Sequence, residues 1–132
     1  MKGFHSNIEN DTRENKNFRK VIYTGKHSQL VLMSLPPKGE IGMEVHPDND
    51  QFFRFEAGSG KVVIDGAETP VSDGIAVVVP AGAEHNVVNA SETEELKLYT
   101  IYSPPHHKDG IVRATKEEAD ANEAEFDGTT SE

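Results

Sequence analysis

The 132-residue chain has no cysteine, few basic residues and no long apolar run. Without cysteine it can form no disulfide, no thiolate metal site and no thiol nucleophile. Its apolar runs fall far short of a membrane span, and the N-terminus, MKGFHSNIENDTREN, lacks the apolar stretch of a signal peptide. The expectation is a soluble, cytoplasmic protein with no membrane partner. Lysine and arginine total 13 against 23 acidic residues, a formal charge of -10. Seven of those acids fall in residues 116–132, where Lys116 is the only base. The body is therefore only mildly acidic, and neither part carries the basic stripe that nucleic acid requires. Hydrophobic content is 35%, below the globular average, so some of the chain is expected to lie outside the core. The length suits one compact domain.

What is present is a series of short β-branched and aromatic runs: VIYT, LVLMSL, IGMEVH, QFFRFE, KVVID, IAVVV, NVV and LKLYTIY. Turn signals rich in Gly, Pro, Asn and Asp separate them, which predicts an all-β antiparallel sandwich or barrel. The Asp65-Gly66 pair predicts a tight hairpin of the primed-turn kind. Residues 1–18 are polar and read as an arm outside the barrel of residues 19–112. Only one helix is predicted, in the acidic segment 113–132, where Thr115 and Glu118 form a capping box. That helix is polar nearly all round and should be marginal, with DGTTSE disordered after it.

The stretch from Gly74 to Asn89, GIAVVVPAGAEHNVVN, places Pro80, Gly82, His85 and Asn89 at the spacing of the second cupin motif. The chain resembles the cupin family over about residues 20–103. The first cupin motif is altered. Gln51, separated from Gly58 by six residues, stands where that motif has glutamate; His46 stands at the second-histidine position and Glu44 at the first. Gly39 lies one residue too close to match the opening glycine. The resemblance implies a double-stranded β-helix, or jelly roll, with one divalent metal ion (iron, manganese, nickel, zinc or copper) inside it. Carried over position by position, the candidate ligands are Glu44, His46, Gln51 and His85.

Strand alternation puts Glu44 and His46 on one face and Met43 and Val45 on the other. It also groups Gln51, Phe53 and Phe55 on one face, opposite Phe52 and Arg54. The carboxylate lost at Gln51 is regained at Glu44, so the ligand set keeps its charge, which reads as a rewritten site and not a decayed one. Two histidines and one carboxylate are also the donors of non-haem iron sites. Gln51 is either a direct ligand or a hydrogen-bonding neighbour of the ligands. His106 and His107, in YSPPHHKDG, point opposite ways in an extended segment and are expected in a solvated turn.

Two function classes follow. One is a metal-dependent enzyme on a small polar or carbohydrate-like molecule, as Lewis-acid isomerase or lyase, or as dioxygenase. The chain is similar to small stand-alone cupins described as mannose-6-phosphate isomerase-like, although no Lys/Arg pair is evidently placed for a phosphate. The other is a non-catalytic module binding a small molecule. The resemblance also implies a homodimer, with the N-terminal arm as a swapped or covering piece.

Overall fold

The computed structural model describes residues 1–132. In chain order the elements are α1 (Ile8–Glu14), β1 (Arg19–Thr24), β2 (Gln29–Leu35), β3 (Glu44–Val45), β4 (Asp50–Ala57) and β5 (Ser59–Ile64). They continue with β6 (Ala67–Ser72), β7 (Ala76–Val79), β8 (Glu84–Asn89), β9 (Leu96–Ser103), β10 (Val112–Arg113) and α2 (Lys116–Ala121). The strands form two antiparallel sheets, one ordered β10-β1-β2-β9-β4-β7 and the other β3-β8-β5-β6. This is the expected double-stranded β-helix. No helix is long and apolar enough to cross a membrane.

Alternation sets the inner faces. On β4, Gln51, Phe53 and Phe55 are all buried, while Phe52 and Arg54 are half-exposed. Across the sheet Gln51 sits between Tyr102 and Val79, and Phe53 between Thr100 and Val77. Val62 on β5, Val71 on β6 and Val87 on β8 complete a single core with them. Fully burying each phenylalanine contributes about 1.5–3 kcal/mol. The β5–β6 hairpin turns on Asp65 and Gly66, with φ of 47° and 84°, both positive as a type I′ turn demands. Pro70 is tolerated because β6 is an edge strand. The run IGMEVH yields only a two-residue β3, because Gly42 leaves the extended region at φ 105° and donates its N–H to Asn86.

Both ends of the chain are better ordered than their composition predicts. Residues 1–18 contain a second helix, α1, capped by Asn7, whose side chain accepts from the Asn10 N–H. Its buried residue is Thr12, whose hydroxyl donates to the Ile8 carbonyl at 2.7 Å. Lys97 reaches from β9 to the Asn15 carbonyl, and the Ser34 N–H to that of Asn17. Phe18 then enters the core. Thr115 caps α2 as expected, its hydroxyl accepting from the Glu118 N–H, while the Glu118 carboxylate accepts from the Ala114 N–H, one residue before the cap. Ala119 supplies the apolar contact of α2, 2% exposed in the main core. The terminal DGTTSE, expected to be disordered, lies against β1. Ser131 exchanges hydrogen bonds with the Thr24 backbone, and Glu132 accepts from Lys2 N, Gly3 N and the Tyr23 hydroxyl. Polar contacts, most of them to the Ser131 and Glu132 side chains, hold this segment, and a reading based on apolar burial does not detect them.

Candidate metal centre

Strand register brings the candidate residues together. Glu44 on β3 is the direct cross-strand partner of His85 on β8. His46 follows two residues later, at the same phase of the alternation. The loop after β7 fixes its position: Gly82, at φ 89°, donates its N–H to the His46 carbonyl at 2.9 Å. The same loop is tied to β4 through Ala81 N–H and the Asp50 carboxylate. Pro80 and Gly82 therefore join the two sheets where the histidines meet.

Glu44, His46 and His85 each offer a ligand atom, and these atoms lie within 4.8 Å of one another. His46 and His85 are buried, and the Glu44 side chain is 28% exposed. His46 Nε2 donates to Glu44 Oε2 at 2.8 Å. Burial acts to raise the Glu44 pKa, but the hydrogen bond and charge of His46, with Arg19 and His85, outweigh it and hold the carboxyl below its usual range. Glu44 is thus a carboxylate at neutral pH.

His85 Nδ1 lies 3.0 Å from the Ala83 carbonyl. A carbonyl only accepts, so Nδ1 carries a proton and, in the neutral ring, Nε2 presents a lone pair. Gln51 Nε2 donates to the Thr100 hydroxyl at 3.0 Å, which turns Oε1 towards His85 Nε2 at 3.2 Å. Two acceptors then oppose each other. A cation held by the two would relieve the conflict, as would turning the amide over, with the Thr100 hydroxyl donating to Oε1. The donor chemistry thus fits a divalent ion: one carboxylate, two imidazoles and an amide oxygen with a hydrogen-bonded support behind it. Gln51 stands beside the triad, in contact with His85.

His106 and His107 do not sit in a solvated turn. His107 is buried, and its Nε2 lies 3.2 Å from the Tyr102 hydroxyl. The His106 ring lies 4.4 Å from that of His46 and stacks on Tyr102 at 5.2 Å between centroids. The cause is a clamp on the backbone. Gln29 Oε1 accepts from the N–H groups of His106 and His107, its Nε2 donates to the His107 carbonyl, and Asn49 donates to that of Pro104. Burial, with the charge of His46, pushes His106 below its ordinary value. Burial first, and then the Arg19 charge, pushes His107 down to about 2. Tyr102 is pushed up, first by burial and then by the Glu44 charge, so it keeps its proton. Phe53 forms an apolar wall 6.3 Å from His85, while His5 and His27 lie outside the cluster, on the surface.

Arg19 escaped sequence reasoning. It lines a cavity of about 140 Å³ with Glu44 and His106. The alternation that places Val21 inside places Arg19 on the same face, and that signal was present in the sequence.

The cupin domain family model matches residues 31–102. The uncharacterized protein YrkC of Bacillus subtilis is 46% identical over 128 residues, spanning 92% of this chain and 68% of that protein. The uncharacterized protein L612 of Acanthamoeba polyphaga mimivirus is 44% identical over 110 residues, 80% of this chain and 68% of its own length. The crystal structure of BH2720 from Bacillus halodurans superposes with a TM-score of 0.88 at 42% identity, covering 92% of this chain and 96% of that one. KdgF from a Halomonas species, at 22% identity and a TM-score of 0.65 over 79% of this chain and 94% of that one, shares the fold.

Proposed function

This chain belongs to the cupin family, and on that premise we propose that it is a small metal-binding cupin acting on a small polar or carbohydrate-like molecule. The observation that carries the reading is the convergence of Glu44, His46 and His85 ligand atoms within 4.8 Å. One carboxylate and two imidazoles offset half the charge of a divalent ion and leave positions open for a ligand. A bound cation supplies Lewis-acid polarisation of a carbonyl or hydroxyl, or redox chemistry with dioxygen.

The chain's own residues prepare the site. The Ala83 carbonyl fixes the His85 tautomer, and Thr100 steers the Gln51 amide. Phe53 and Val79, both buried, keep water from the inner side. Tyr102 and His106 present a protonated phenol and a largely uncharged imidazole beside His46. The cavity of about 140 Å³ beside Glu44 matches a small substrate.

Elemental analysis of protein purified without added metal tests the reading. Stoichiometric iron, manganese, nickel, zinc or copper is expected. Glu44→Ala should abolish uptake, whereas Gln51→Ala should weaken it about 10–100-fold, as loss of a supporting group does. Protein free of metal that also resists reconstitution overturns the reading. Equal losses in the two variants would make Gln51 a full ligand.

A further inference from the structure

The cavity beside Glu44 has a cationic corner that the metal donors do not use. It is lined by Arg19, Glu44 and His106 together with Asp120, Glu123 and Glu125 of the C-terminal segment. Arg19 is the first residue of β1 and faces inward with Val21. Its cross-strand neighbours are Met33, 1% exposed, and Arg113. Two arginines directly opposite each other repel. In a chain with 23 acidic residues, neither of them forms an ion pair.

Arg113 is satisfied by the Asn122 carbonyl, to which its Nε and Nη2 donate at 3.2 and 2.8 Å. Arg19 has no such partner. Its Nε is sealed from solvent and makes no hydrogen bond, and its Cζ packs 5.4 Å from the Phe18 ring centroid. The side chain is thus held by packing, and its outer nitrogens are left to recognise something. Its charge reaches Glu44, Tyr102, His106 and His107, so the guanidinium belongs electrostatically to the metal centre.

Resting on the metal-centre reading above, we infer that Arg19 is the recognition point for a small monoanionic carboxylate, such as a short hydroxy acid, whose remaining oxygens face Glu44, His46 and His85. The planar guanidinium matches a carboxylate in shape and charge. Four carboxylates line the same cavity, so a second negative charge on the ligand is opposed. The volume, about 140 Å³, equals about five water molecules and limits the ligand to a few heavy atoms.

The test is calorimetric titration of the wild type, Arg19→Gln and Arg19→Lys with glycolate, its neutral amide glycolamide, and inorganic phosphate. Metal content and thermal midpoint are measured first on each protein. Equal metal content with glycolate affinity lowered about 10–100-fold in Arg19→Gln, and less in Arg19→Lys, is the expected result. Glycolamide should bind all three proteins weakly and alike. Arg19→Gln binding glycolate as the wild type does overturns the inference and leaves the metal-centre reading intact. So does phosphate or glycolamide binding the wild type as tightly as glycolate, or a wild type that binds none of the three. Absence of metal from every protein, persisting after attempted reconstitution, refutes the metal-centre reading separately. Glycolate titration of the metal-free wild type and Arg19→Gln then supports or overturns the role of Arg19 by the same difference in affinity.

Discussion

Replacing Gln29 by leucine should release the segment that carries His106 and His107. Gln29 is 1% exposed and makes four hydrogen bonds: to Thr24 Oγ1 at 3.0 Å, to the His107 carbonyl at 2.7 Å, and from the N–H groups of His106 and His107 at 3.2 and 2.9 Å. Leucine preserves most of the volume, so the change removes polar partners without opening a cavity. At about 1 kcal/mol for each hydrogen bond the loss is about 4 kcal/mol. Relaxation of the segment towards water returns part of that, which leaves about 3 kcal/mol, a large share of the roughly 5–15 kcal/mol that holds a domain together. Urea unfolding followed by circular dichroism measures the loss, and amide hydrogen exchange at His106 and His107 locates it. A loss under about 1 kcal/mol, with exchange at both amides unchanged, would refute the reasoning. Asn49 and the Tyr102 contact would then be the real anchors.

Two further perturbations read other parts of the fold. His107, held down to about 2, cannot take up the proton that its unfolded counterpart binds below 6.5. Its contribution to stability is complete above pH 6.5 and is lost as the pH falls, by at most about 1.4 kcal/mol per pH unit. His107→Asn should flatten that slope between pH 6.5 and 4.5 in urea titrations, and parallel slopes would count against the assignment. A Cβ at Gly60 would lie 2.2 Å from the Val88 carbonyl oxygen, whereas one at Gly66 meets nothing within 4 Å. Gly60→Ala should therefore cost about 2–3 kcal/mol by forcing β5 from β8. Gly66→Ala should cost about 1–2 kcal/mol, from its positive φ alone. Denaturant midpoints in the reverse order would contradict this.

Sequence legibility followed the physics of each segment. Alternation within short apolar strands gave the faces of Glu44, His46, Gln51 and Phe53, because a one-residue error would have put Met43 or Phe52 inside. The Asp65-Gly66 turn was legible because few residue pairs accept two positive φ values. The first helix was not, because what it buries is a threonine and what anchors it is a carbonyl reached by Lys97. The position of His106 and His107 depends on Gln29, 78 residues away from His107. No local pattern encodes a clamp of that span. Arg19 was missed for a different reason: the alternation was there, but a charged residue at a strand start is ordinarily taken to face water.

The clasp at Glu132 has a topological consequence. Its carboxylate holds the Lys2 and Gly3 amides at 2.8 Å, joining residues 130 positions apart. The described polypeptide is close to a closed ring, with Tyr23 as the third contact of the clasp. Anything attached at residue 1 or at residue 132 would emerge from the same small area. If the ring were sealed there by a short linker, new ends could be cut at the Asp65-Gly66 turn, where a Cβ added at Gly66 would meet nothing within 4 Å. The order of strands along the chain would change, while every pairing in the two sheets stayed the same.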